Sequence, residues 1–184
     1  MRAIVNTFWE IVKIILIALV IVVPLRVFVF QPFLVRGASM EPNFHNGDYL
    51  IVDELSYRFR DPERGEVIVF KFPQDPSQRY IKRIIGLPGE TVQTQNGSII
   101  ISDSENGEDI FMLNETEYLF SLSHNTQFSP FILEEDEYFV LGDNRRFSSD
   151  SRRWGVLPEK NIVGRVFVRL LPPNAFAKVE APAY

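Results

Sequence analysis

Apolar and polar positions follow one rule up to about Pro32 and another beyond it. From Ile14 to Leu25 no residue is charged and almost all are Ile, Leu or Val, and the apolar stretch extends outward to Phe8 and Phe30 despite Lys13 and Arg26. A bilayer core takes about 20 mostly apolar helical residues, so this pattern predicts a transmembrane helix over about residues 8–30 with Lys13 and Arg26 snorkelling. The run is followed by Pro24, Arg26, Phe28, Phe30 and Gln31 rather than by the small residues of a cleavage site, which favours a retained anchor over residues 1–31 and not a removable leader. Arg2 and Lys13 stand against Glu10, and the short N-terminal flank places the N-terminus on the cytoplasmic side and the remainder of the chain outside.

After Pro32 the period shortens. Apolar runs at Phe33–Val35, Tyr49–Val52, Val67–Phe72, Tyr80–Ile85, Ser98–Ile101, Tyr138–Leu141 and Ile162–Leu170 read as strands. Asn46-Gly47-Asp48, Asp61-Pro62, Pro73-Gln74-Asp75-Pro76, Pro88-Gly89, Asn96-Gly97 and Asn106-Gly107 punctuate them as turns. Many short strands with few helical patterns predict a mostly β domain over residues 32–184, an antiparallel barrel or sandwich. Within it, residues 91–137 turn polar and acidic with scattered aromatics, which predicts a short insertion or flap rather than an extended accessory subdomain.

Composition narrows the chemistry. A net charge of −5 over 184 residues lacks the basic face that nucleic acid requires. With no cysteine there is no thiolate nucleophile, and His45 and His124 are too few for a His-rich zinc site, so neither a metal nor another cofactor is expected.

Two residues stand out against this background. Ser39 lies in Gly37-Ala38-Ser39-Met40-Glu41-Pro42, a few residues beyond the anchor, where a turn serine is the ordinary reading. Lys82 lies in Tyr80-Ile81-Lys82-Arg83-Ile84-Ile85, where strict alternation puts it with Tyr80 and Ile84 on one face and Arg83 with Ile81 and Ile85 on the other. One of these cations must therefore meet a substantially apolar face or its rim. A lysine is a base only where its surroundings keep it neutral, and a serine hydroxyl needs such a base to become a nucleophile. A Ser-His-Asp arrangement is the weaker alternative, because His45 is close to Ser39 in sequence and neither histidine has an evident orienting carboxylate.

Taken with Gly47-Asp48-Tyr49-Leu50-Ile51-Val52, Gly65-Glu66-Val67-Ile68-Val69-Phe70 and the run Gly142-Asp143-Asn144-Arg145-Arg146-Phe147-Ser148-Ser149-Asp150-Ser151-Arg152-Arg153-Trp154-Gly155, the Ser39 and Lys82 blocks resemble the bacterial type I signal peptidases. The resemblance extends in order from the anchor to about Leu170. It implies a membrane-anchored serine endopeptidase that cuts preprotein signal peptides after small residues in an Ala-x-Ala pattern, at the outer membrane face and near the export translocon. It further implies Ser39 as nucleophile, Lys82 as general base, Ser148 as the hydroxyl holding the lysine amine, and Asp150 and Arg152 as structural support. By the same resemblance Phe33, Val35, Met40, Phe44, Leu50, Tyr80 and Ile81 line the substrate pockets. Two positions depart from the family pattern: Asn43 stands where threonine is usual, and Gly37 where some members carry an oxyanion-donating serine, leaving the Ser39 N–H and a further backbone group or water as donors.

Overall fold

The computed structural model describes residues 2–28, 30–103, 110–119 and 127–182, with side chains at all of these except 2–6 and 21–30. The expected turn at Asn106-Gly107 and the residue His124 lie outside the described residues. A helix, α1 (Arg2–Phe28), precedes the β-rich region. Its large apolar side chains between Phe8 and Val20, Val12 excepted, are half or more exposed, with Val20 at 71%. Among the described residues no helix is long and apolar enough to cross a membrane, and side chains 21–30 of the expected anchor lie outside them.

The main sheet is built from β1 (Phe30–Leu34), β2 (Tyr49–Asp53), β3 (Val67–Phe72), β4 (Asp75–Gly86), β9 (Glu137–Leu141), β10 (Leu157–Pro158), β11 (Ile162–Leu171) and β12 (Ala177–Lys178). Its order is β1-β2-β11-β3-β4-β9-β10, with β12 added to β11 and every pairing antiparallel. β1 and the two-residue β10 end this path without pairing to each other, so the sheet is open and the barrel alternative is corrected. A second sheet, in the order β7-β6-β5-β8, comprises β5 (Glu90–Gln95), β6 (Ser98–Asp103), β7 (Phe111–Met112) and β8 (Phe131–Ile132). The region expected to be a short insertion or flap contains this small sheet, with a buried set, Val92, Ile99, Ile101, Leu113 and Leu133, packed on Phe139 and Leu141 of β9.

The alternation of β3 explains why β4 beside it is buried on both faces. Val67 and Val69 enter a cluster with Val35, Met40, Phe44, Leu50, Val52, Ile81 and Val166, while Ile68 and Phe70 enter another with Ile84, Tyr138, Val140 and Leu157. A central strand covered twice leaves no solvent-facing side for polar residues to occupy. Lys82 and Arg83 consequently are both buried, at 3% and 4% exposure, where the sequence required this of only one.

Candidate active site

Ser39 is positioned by the apolar residues around it. Val35, Met40 and Phe44 are buried, and Val35 is pinned to the returning chain by Val35 N–H to Asp48 O at 2.9 Å and Gly47 N–H to Val35 O at 2.9 Å. Gly37 takes φ +89°, a backbone region that side chains disfavour, and its N–H donates to Asn46 Oδ1 at 3.0 Å. The glycine at this position thus meets a turn requirement that a serine would strain. Ser39 itself is left half-buried at the rim of a groove.

Lys82 comes from β4, in register with Ile68 of β3. Its Nζ donates to Ser39 Oγ at 2.8 Å and to Ile81 O at 2.7 Å, and lies 5.5 Å from the centre of the Tyr80 ring. Burial pushes the Lys82 amine down from its ordinary 10.5 to about 8, while the charges of Asp150 and Asp143 pull in the opposite direction and are outweighed. Such an amine is neutral in an appreciable fraction of molecules near neutrality, which is what accepting the Ser39 proton requires.

Asp143 receives a two-pronged ion pair from Arg83, Nε to Oδ1 at 2.9 Å and Nη2 to Oδ2 at 2.7 Å, and Arg83 Nη1 also donates to Gly65 O at 2.8 Å. Asn144 clamps the Ser39 turn: its N–H donates to Ser39 O at 3.0 Å and its Nδ2 to Ala38 O at 3.0 Å. Asp150 is fully buried; burial raises its carboxyl, but the Arg152 hydrogen bonds and charge, with Ser148 and the Gly142 N–H, hold it below the ordinary carboxylate range. The Arg152 bonds are 2.7 Å to Oδ1 and 2.8 Å to Oδ2, and the Gly142 N–H bond is 3.1 Å. The loop from β9 into α2 (Ser151–Trp154) therefore braces the floor beneath the Ser39–Lys82 pair.

Ser148 is buried within this loop, but the bonds of the Lys82 amine go to Ser39 and Ile81. Ser148 Oγ makes no well-formed hydrogen bond, lies against Gly142, and is close enough to Asp150 to help hold that carboxylate ionised. Asn43 donates through Nδ2 to Asp143 Oδ2 at 2.8 Å and to Tyr118 O at 2.9 Å, bridging the two. His45 is exposed, and its backbone exchanges bonds with Asp48: its N–H donates to Asp48 Oδ2 and its carbonyl accepts the Asp48 N–H. Among the described residues no group of His, Cys, Asp and Glu is arranged to hold a metal ion.

The groove beside Ser39 encloses about 730 Å³ between the end of β1 and the exposed half of β4. Of the expected pocket residues, Phe33, Tyr80 and Ile81 line it. Val35, Met40, Phe44 and Leu50 instead interdigitate with Val52, Val67 and Val69 in the core behind, Leu50 being fully buried. The remaining wall is supplied by residues that apolar pattern alone does not single out, among them Leu34, Arg36, Ala38, Gln78, Arg79 and Phe147. A groove along a strand edge has room for an extended peptide.

Comparison with known proteins bears on the same residues. The family model described as signal peptidase, peptidase S26, matches residues 8–171. The chain is similar to a probable signal peptidase I-2 of Synechocystis sp., 38% identical over 173 residues that cover 91% of this chain and 75% of that protein. It is similar to a signal peptidase I of Bacillus amyloliquefaciens, 37% identical over 162 residues covering 86% of this chain and 83% of that protein. A crystal structure of a signal peptidase I from Enterococcus faecalis V583 shares 34% identity with a TM-score of 0.47, covering 58% of this chain and 97% of that one.

Proposed function

The chain belongs to the signal peptidase family, peptidase S26, serine endopeptidases that remove signal peptides, and from that premise we propose that it cuts exported preproteins with a Ser39–Lys82 dyad. The observation that carries this reading is the 2.8 Å contact from Lys82 Nζ to Ser39 Oγ in a buried setting where desolvation outweighs the charges of Asp150 and Asp143. Neutral Lys82 takes the Ser39 proton as Oγ attacks the scissile carbonyl, and returns it to the departing amine as the acyl-enzyme forms. Water, deprotonated by the same amine, then attacks the ester; its proton passes through Lys82 back to Ser39 Oγ as the acid is released. The Ser39 N–H is the backbone donor for the oxyanion.

Specificity for small residues before the cut follows from a groove walled by Phe33, Tyr80 and Ile81, with the core residues behind too tightly packed to yield. The site is placed at a lipid surface by α1, whose uncharged run Ile14–Leu25 and exposed apolar side chains support insertion in a bilayer as a single span. In this arrangement the N-terminus is cytoplasmic, residues 32–184 lie outside beside the export machinery, and the preprotein arrives laterally in the same membrane. Ser39→Ala and Lys82→Ala should each reduce cleavage of an Ala-x-Ala preprotein to background while leaving the domain folded. The parent chain's rate should rise with pH through about 8. Near-normal cleavage by either variant refutes the dyad, and loss of the N-terminal helix without selective loss on vesicles refutes the span.

A further inference from the structure

Residues 113–119 belong to the second sheet's region, yet two of them are built into the wall behind the dyad. Glu115 and Tyr118 are 3% and 5% exposed, while the intervening Thr116 and Glu117 face solvent. Leu113 N–H donates to Ile99 O at 2.9 Å, fixing the segment to β6, and Leu119 N–H donates to Glu115 O at 2.9 Å, closing a turn that turns both side chains inward.

From that turn, contacts run to each element that carries the site. Glu115 forms a buried ion pair with Arg145, both side chains 4% exposed, and accepts the Tyr118 O–H at 2.6 Å. Arg145 Nε donates to Gly142 O at 3.1 Å, and Arg145 O accepts from Arg152 Nη2 at 2.7 Å, the same guanidinium that holds Asp150. Tyr118 O accepts the Asn43 amide, which also reaches Asp143, so the nucleophile turn is tied to the same point. The Tyr118 ring lies 4.2 Å from Arg83 Cζ, beside the strand that carries Lys82.

A buried ion pair is weak evidence for stability, since apolar residues of equal volume commonly do as well, and its better-attested use is to fix one arrangement. Here the arrangement being fixed includes Gly142, packed so tightly that an added Cβ would lie 2.4 Å from Ser39 O and 2.3 Å from Ser148 Oγ. We propose that Glu115 and Tyr118 are positioning residues for the Ser39–Lys82 pair, acting through Arg145, Asn43 and Arg83, so that the small second sheet is part of the catalytic apparatus. The proposal rests on the dyad reading above.

The test compares full-length wild type, the double variant Glu115→Met/Arg145→Met and Tyr118→Phe in detergent micelles, on a signal-peptide substrate. Removing both ionic partners leaves no unpaired buried charge, so the double variant should melt near the wild-type temperature. A positioning role predicts that its kcat nevertheless falls by about 10- to 100-fold with KM changed by less than about threefold, as expected of a small displacement of reacting groups. Tyr118→Phe, which cuts only the bond to Glu115 and keeps the ring against Arg83 and the carbonyl on Asn43, should lower kcat by no more than about threefold. The Lys82 amine, followed by NMR in lysine-labelled protein, should titrate at higher pH in the double variant, because loosening the Asp143 and Asp150 loop admits water to it. Wild-type kcat and wild-type Lys82 titration in a folded double variant overturn the proposal. Absence of cleavage by the wild type would refute the functional reading instead, and the Lys82 titration, which needs no substrate, would still decide this one.

Discussion

Replacing Lys82 by methionine should make the protein more stable, in a way that depends on pH. Burial lowers the amine from 10.5 to about 8, and at about 1.4 kcal/mol per pH unit this means that holding the folded site costs about 3 kcal/mol when the unfolded lysine is fully charged. The sign follows from proton counts: between about pH 8 and 10.5 the unfolded chain binds a proton that the folded chain has released, so wild-type stability rises with pH across that window. Below about pH 8 the penalty is fully present; above 10.5 it is gone. Methionine fills a similar volume without a charge, but it leaves Ile81 O without the 2.7 Å bond, a loss that is the same at every pH. The difference in unfolding free energy, variant minus wild type, should therefore be larger at pH 7 than at pH 10.5 by about 3 kcal/mol, whatever its absolute value. Urea unfolding of the full chain in mild detergent, followed by near-ultraviolet circular dichroism at both pH values, measures it. A pH-independent difference would refute the claim that desolvation dominates at Lys82, and with it the physical ground for the proposed Lys82 base.

Other outcomes follow from single contacts. Gly142→Ala should destabilise by about 1–3 kcal/mol through overpacking and also lower kcat, because its Cβ must displace Ser39 O or Ser148; thermal melting and steady-state cleavage check this, and an active, stable variant would contradict the packing. Asp150→Asn and Arg152→Gln should move the pH–rate inflection in opposite directions. The first removes a charge that raises the Lys82 amine, so the inflection falls below about 8; the second leaves that carboxylate without its guanidinium, so the inflection rises. Shifts of the same sign would show that loop disruption and not charge controls the base.

Legibility in the sequence tracked burial. β3 has the bounds that its alternation predicts, because both of its faces are apolar, and β2, β9 and β11 differ by a residue at an end. β4 starts earlier than its apolar core, at Asp75, since Asp75–Arg79 pairs with β3 in a hairpin that projects past the packed layers and needs no apolar side chains. β5 escaped notice for a related reason: Glu90–Gln95 carries a single fully buried side chain, Val92, and is held by ladders to β6 and β8. The site divided the same way. Lys82 was visible as a charge within an apolar alternation, but the partner of Arg83 lies sixty residues away at Asp143, and no local pattern announces it. Val35, Met40, Phe44 and Leu50 show the limit of apolar identity as a guide to a pocket, because a side chain in the groove wall and one behind it have the same composition.

The charges around the dyad also explain how one amine remains without a carboxylate of its own. Arg83 is paired with Asp143, Arg145 with Glu115 and Arg152 with Asp150, each through two nitrogens and two oxygens, so every nearby acid is already engaged by a planar cation. A guanidinium stays protonated at any pH the enzyme meets, whereas a lysine in its place would compete for the same proton economy as Lys82. With the acids neutralised pairwise, the field left at the Lys82 amine is too weak to offset desolvation, and the amine is lowered instead of being fixed as a cation. The chain thus separates two tasks that a shared set of carboxylates would set in conflict: arginines hold the loops in register, and the lysine, left out of those pairs, keeps a lowered amine beside Ser39.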